Sequence, residues 1–186
     1  MDKWREGKII NKAENEILVS PSGELIWRGK KIKCALGRSG VSVEKKEGDG
    51  ATPAGVFPIQ EVFYRGDRVG EIECALPARP IREDDGWCDD PDDQAYNRLI
   101  RLPHPARHED MWREDNLYDI VMVLGYNNNP PTPGKGSGIF LHSVSGDYMP
   151  TEGCIAVSMA DLIALVREIP SGAALRVLPP GGLDTR

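Results

Sequence analysis

Cys154 and His142 are the residues of this chain whose types and spacing could carry covalent chemistry. A thiol that attacks an amide carbon needs a base for its proton, donors aimed at the oxygen that turns negative, and backbone open enough for a substrate to approach. The stretch 139–157, IFLHSVSGDYMPTEGCIAV, can supply all three. His142 closes one apolar run and Cys154 opens the next. If the two runs are neighbouring strands, ~4.8 Å apart, side chains at their facing ends reach hydrogen-bond distance. Gly153 removes a side chain just before the sulfur and leaves the amides of Gly153 and Cys154 free to face a carbonyl oxygen. A cysteine beside a glycine is, taken alone, usually a small packed residue. The histidine and the glycine together favour the reactive reading.

The elements that must position this pair read as strands. Short runs bounded by Gly and Pro predict strands over 16–20, 24–28, 31–37 and 55–64, with Pro58 suggesting an edge or a bend. Further strands are expected over 118–126, 138–142, 154–157 and 174–178. One clear helix begins after Ser158. Ser158 and Asp161 have the spacing of an N-cap and its third residue, and Leu162, Leu165, Val166 and Ile169 form one apolar face. Pro170 and Gly172 end it. Residues 65–117 carry many Pro, Asp and Arg and few periodic apolar positions, and read as a long irregular insertion around short strands such as 99–102. Trp87 and Trp112 argue that this insertion docks on the core. The whole, residues 1–186, reads as a single mostly-β domain.

Composition narrows the function classes. The chain has 186 residues and a formal net charge of −6, with no basic cluster of the kind that neutralises phosphates, so nucleic acid is not an expected partner. Its four cysteines form no C-x-x-C pair and fit reduced thiols. No apolar run is long enough to span a bilayer. Met1 to Asn11 contains no leader-like run, so a cytoplasmic location is expected, or a periplasmic one if a leader has been removed.

Other constellations are weaker. His104 and His108 have H-x-x-x-H spacing, but Pro103 and Pro105 argue against a helix that would aim both at zinc. His108, Trp112 and Arg113 could instead line a groove. The acidic residues of 83–93 lack the D-x-D-x-D-G pattern of a calcium loop and read as a solvated loop. Tyr126, Asn127 and Asn128 could contact a substrate, though Asn also favours turns. No cofactor or metal is expected.

The segment His142-Ser143, followed by Thr151-Glu152-Gly153-Cys154-Ile155, resembles the signature of the L,D-transpeptidase (YkuD-type) family. Residues 50–57, GATPAGVF, look like that family's T-P-x-G segment. The resemblance implies a β-sandwich or barrel of mixed sheets. It implies Cys154 as nucleophile, His142 as general base, the Ser143 carbonyl as the acceptor that orients the imidazole, and the Gly153 and Cys154 amides as oxyanion donors. Thr52, Thr151 and Glu152 would stand close to the substrate. The implied partner is a peptidoglycan stem peptide or muropeptide, attacked between an L-centre of meso-diaminopimelate and D-alanine. An amine acceptor gives a cross-link, and water gives L,D-carboxypeptidase activity. Glu152 stands where the family usually has a second His, and a carboxylate facing the thiol would oppose its ionisation. Ala156 stands where Arg often binds the substrate carboxylate, so another cation must do so. The loop between His142 and Cys154 is shorter than in typical members. A non-catalytic module that keeps the groove is the competing expectation.

Overall fold

The computed structural model describes residues 15–181, so the leaderless reading of the first residues lies outside the described residues. β1 (Glu16–Ser20), β2 (Glu24–Trp27) and β3 (Lys30–Lys33) form an antiparallel meander. Ile17, Val19, Leu25, Trp27 and Ile32 alternate inward along it. β2 stops at Trp27 because Arg28 turns the chain at φ 48. β4 (Val41–Ser42) and β5 (Thr52–Pro53) make a short parallel pair. β6 (Gly55–Tyr64) is the long central strand, and β7 (Ala78–Pro80) pairs with its far end.

The insertion is more ordered than its composition suggests. One helical turn, α1 (Gly66–Val69), follows β6. β8 (Asp85–Cys88), β9 (Arg98–Arg101) and β10 (His108–Asp110) then form an antiparallel sheet of their own, in the order β10-β8-β9. The expected solvated acidic loop is corrected at Asp85, which is 1% exposed. Its carboxylate accepts Arg79 Nη1 at 3.1 Å and the Arg82 amide at 2.8 Å, and also pairs with Arg101. Local composition could not show that these carboxylates had arginines waiting across the fold.

β11 (Ile120–Leu124), β12 (Phe140–Ser143), β13 (Ile155–Val157), α2 (Met159–Glu168) and β14 (Ala174–Val177) complete the chain. The main sheet runs β13-β12-β11-β6-β14-β1-β2-β3. It is mixed, with β12–β13 and β1–β14 parallel. Beyond β3 the chain reaches back to β13. Ala35 exchanges two main-chain hydrogen bonds with Ala156, at 2.7 and 3.0 Å, and Gly37 bridges to Thr151. The sheet is thereby nearly closed, and the expected mostly-β architecture of mixed sheets is the one that forms.

The helix α2 starts where its cap predicts. The Ser158 hydroxyl accepts the Asp161 amide at 3.1 Å, and Leu162, Leu165 and Val166 pack into the main core. Every residue of β11 is buried because both its faces are covered. Ile120, Met122 and Leu124 join the main core, while Val121 and Val123 join a second cluster with Phe63, Trp87, Tyr118, Phe140 and Cys154. Each aliphatic side chain so removed from water contributes roughly 1.5–3 kcal/mol. This second cluster is the seam between sheet and insertion, and it holds the cysteine.

Candidate active site

β12 and β13 pair in parallel with Leu141 opposite Ile155 and His142 opposite Ala156. Side chains alternate across a sheet, so Leu141, Ile155 and Val157 enter the main core while His142 and Ala156 stand on the other face. Cys154, one residue before β13, falls on that second face and packs with Phe140. His142 and Cys154 are therefore diagonal neighbours, and both line a cavity of about 520 Å3. Residues of β8 and β10 supply the opposite wall, with Trp87 and Glu109 lining the same space.

His142 Nδ1 lies 2.7 Å from the Ser143 carbonyl oxygen. A carbonyl can only accept, so Nδ1 carries the proton. Burial pushes the imidazole down to about 4, so it is neutral at pH 7 with Nε2 as its free lone pair. Tyr118 packs against the ring edge-on, with centroids 5.3 Å apart. The Ser143 hydroxyl donates to the Asn116 carbonyl at 2.7 Å, which holds the end of β12 in place.

The Cys154 thiol donates to the Gly138 carbonyl at 3.2 Å and accepts the Phe140 amide at 3.4 Å. Burial pushes it up to about 12, and the nearby Glu109 carboxylate pushes in the same direction. The Phe140 amide and the Lys45 ammonium act the other way. The resting pair is thus a neutral thiol beside a neutral imidazole.

Threonines set the backbone around Cys154. Thr151 Oγ1 donates to the Cys154 carbonyl at 2.7 Å and accepts the Gly153 amide at 3.1 Å. Thr52 is fully buried. Its hydroxyl accepts the Gly37 amide at 2.8 Å and reaches the same Cys154 carbonyl at 3.5 Å. Gly153 has φ 139, and a Cβ there would lie 2.8 Å from the Ala51 carbonyl oxygen. The segment 51–52 therefore braces the turn that presents Cys154, which gives the upstream Thr-Pro segment its place beside the site.

Glu152 lines the cavity, but its carboxylate turns outward to Arg38, with both oxygens 3.0 Å from Nε and 77% of the side chain exposed. The acid whose field reaches the thiol is Glu109. Ala156 is buried beside His142 on the same face, and the cations of the cavity are Lys45, Arg107 and Arg113. Arg113 thus lines the groove as its type suggested. Trp112 packs instead under the Arg65 guanidinium, 3.6 Å from the ring centre.

Other sequence candidates also stand away from the cavity lining. His108 alternates with Glu109 on β10, and its Nδ1 lies 2.8 Å from the Ala106 carbonyl. His104 Nδ1 accepts the Ala106 amide at 3.2 Å, so both histidines serve the same turn. Tyr126 gives its hydroxyl to the Lys135 carbonyl. Asn127 ties its own loop together, accepting the Thr132 amide at 2.8 Å and donating to the Gly136 carbonyl at 2.8 Å. Lys45, Glu109, Tyr118 and Gly138 were missed. For Glu109 the only available signal was strand alternation next to His108.

Among the described residues no group of three His, Cys, Asp or Glu is arranged to hold a metal, and no helix is long and apolar enough to cross a membrane. Residues 8–177 match the family model for YkuD, the L,D-transpeptidase catalytic domain. Among solved structures, an L,D-transpeptidase from Mycobacterium smegmatis is 12% identical, with a TM-score of 0.41, covering 88% of this chain and 58% of that one. L,D-transpeptidase 1 of Mycobacterium tuberculosis is 13% identical, with a TM-score of 0.39 and coverage of 87% and 60%. The helical cell shape determining protein Pgp2 from Campylobacter jejuni is 16% identical, with a TM-score of 0.43 and coverage of 88% and 47%. The chain therefore spans about half to three-fifths of these structures. No curated protein matches.

Proposed function

The chain belongs to the YkuD family of L,D-transpeptidase catalytic domains, and from that membership we propose that it transfers the acyl group of a peptidoglycan stem peptide through a thioester on Cys154. The observation that carries this reading is that His142 and Cys154 stand on one sheet face and line one cavity, with the tautomer of His142 set by the Ser143 carbonyl.

In the proposed reaction the thiol leaves its bond to the Gly138 carbonyl and passes its proton to His142 Nε2. Sulfur attacks the carbonyl carbon of the bond to D-alanine. The oxygen takes up negative charge and is met by main-chain amides, with Gly153 exchanging its bond to the Thr151 hydroxyl for one to the substrate. The tetrahedral adduct collapses as the carbon–nitrogen bond breaks, and the imidazolium returns its proton to the leaving amine. His142 then takes a proton from the acceptor amine as that nitrogen attacks the thioester, and the departing thiolate is reprotonated. Water can replace the amine in the same steps, giving a carboxypeptidase. Lys45, Arg107 and Arg113, paired with Asp49, Asp89 and Asp115, are the cavity cations that a substrate carboxylate would have to share in place of the arginine absent at Ala156.

The test is mass spectrometry of the protein and products after incubation with a disaccharide-tetrapeptide, with and without an amine acceptor. The expected result is an acyl adduct on the Cys154 peptide and a joined product with the amine, both lost in Cys154→Ala. Loss of D-alanine with no joined product in either tube would assign water as the acceptor. A second reading, a groove that binds the peptide without reacting, is favoured by the buried, hydrogen-bonded thiol. It predicts no adduct and a Cys154 that resists iodoacetamide near neutral pH.

A further inference from the structure

The sulfur of Cys154 sits between two main-chain groups of one short stretch, the Gly138 carbonyl at 3.2 Å and the Phe140 amide at 3.4 Å. Phe140 is fixed by the sheet, as the first residue of β12, opposite Val123 on β11. Gly138 lies two residues ahead of β12, outside that ladder. Its amide donates instead to Asn97 Oδ1 on the insertion, at 2.9 Å. Asn97 is 4% exposed and stands at φ 56, a left-handed conformation that Asn tolerates. Its own amide donates to the Cys88 carbonyl at 2.8 Å, which ties its backbone to β8. Every hydrogen-bonding position of the side chain is used. Oδ1 accepts Trp87 Nε1 at 3.0 Å as well as the Gly138 amide, and Nδ2 donates to the Tyr126 and Asn127 carbonyls at 2.9 and 2.7 Å. Two N–H groups at one end and two carbonyls at the other permit only this orientation of the amide. The preceding residue, Tyr96, holds the same loop at Gly136, whose amide its hydroxyl accepts at 3.1 Å.

We propose that Asn97 is a positioning residue for the thiol: by holding Gly138 it aims the carbonyl that accepts the Cys154 proton in the resting site. Asn97 is not part of the cavity lining, so it acts through Gly138 and not on a ligand. A hydrogen bond made by the neutral thiol favours the neutral thiol over the thiolate. The Gly138 carbonyl therefore keeps sulfur protonated until that bond is given up, and the insertion sets this resting state through one side chain. The inference rests on the acyl-transfer reading only in taking Cys154 as the reactive thiol.

The unaltered full chain gives the first test, and none of the measurements needs a thioester to form. Hydrogen exchange followed by NMR should find the Gly138 amide protected. Exchange at the rate of an open loop would overturn the proposal without any variant. The second test reads the S–H stretching band of Cys154 in the infrared, assigned by its disappearance in Cys154→Ala. Asn97→Gly suits φ 56 and removes only the side chain. In it the Cys154 band should move to higher frequency as the thiol loses its acceptor. The pH midpoint of iodoacetamide alkylation should fall, raising the thiolate fraction at a fixed pH about threefold, the size of one modest hydrogen bond. The band of Cys74, which donates to the Leu76 carbonyl at 3.3 Å, should stay in place. Asn97→Asp keeps the acceptor for Trp87 and Gly138 and loses the Nδ2 donors, so it should be less stable yet retain the parent Cys154 band. A merely structural Asn97 would lower stability in both variants and move neither band nor midpoint. That result, in folded Asn97→Gly, would overturn the proposal.

Discussion

At the scale of single residues, the site is organised by protonation states that burial imposes. His142 is neutral in the fold because its ring is taken from water. An ordinary imidazole in the unfolded chain titrates near 6.5, and here the value falls to about 4. Between those values the native state binds fewer protons than the unfolded state, so His142 contributes stability that is present above pH 6.5 and lost as pH falls towards 4. The full contribution is roughly 3 kcal/mol. Glu61 and Glu109 have raised carboxyls and act with the opposite sign, so the effect must be isolated as a difference. Urea unfolding of the unaltered protein and of His142→Gln, at pH 7 and at pH 4.5, should show the steeper acid loss in the former. Equal pH slopes in the two proteins would remove the buried neutral imidazole from the account.

The side chains of this site also show how far residue type can be trusted. Cys154, His142 and Gly153 could be chosen from type and spacing. The direction in which a carboxylate points could not. Glu152, beside the thiol in sequence, turns to Arg38, whereas Glu109, far away in sequence, bears on the sulfur.

At the scale of elements, the turn from residue 151 to β13 is the component that presents Cys154 to the cavity. Its geometry requires Gly153, whose φ of 139 and close approach to the Ala51 carbonyl leave no room for a Cβ. Gly153→Ala should cost more than about 1 kcal/mol in urea unfolding. Because the displaced backbone adjoins Cys154, it should also reduce acyl-adduct formation in the mass-spectrometric assay by more than the loss of folded protein explains. A variant as stable and as reactive as the parent would show that segment 51–52 does not brace this turn. The elements themselves were largely legible. α2 begins at its Ser158 cap, and β1 and β6 occupy 16–20 and 55–64 as their apolar patterns indicate. The strand expected over 118–126 shortens to Ile120–Leu124, because the chain turns back on itself at both ends. The Asp119 amide donates back to the Asn116 carbonyl at 3.3 Å, and the Tyr126 amide to the Leu124 carbonyl at 2.8 Å.

At the scale of the whole molecule, the insertion is the second wall of the cavity. It docks on the sheet through Trp87, which packs edge-on against Phe140 at 5.0 Å and donates to Asn97 Oδ1 at 3.0 Å. Asp85 pins its sheet from within. Asp85→Asn would leave Arg79 and Arg101 facing a neutral group, and both are partly exposed, so the cost should be on the order of 2 kcal/mol, below that of a fully buried pair. Hydrogen exchange should quicken at β8 and β10 while β1 and β14 remain protected. Uniform loosening of all four strands would mean that the insertion and the sheet unfold as one unit, and that Asp85 does not hold this wall separately.

The amino-acid sequence by itself determined the parts of this protein that depend on local pattern. These are the period-two strands, the capped helix, and a histidine and a cysteine at the ends of two apolar runs. It could not determine which distant groups face that pair, because burial and electrostatics depend on distances that span the chain. The closure of the sheet through Ala35 and Ala156, the pairing of Asp85 with its arginines, and the arrival of Glu109 and Lys45 beside the thiol all join residues far apart in sequence. Only the tertiary structure sets those separations, and with them the charge at the sulfur.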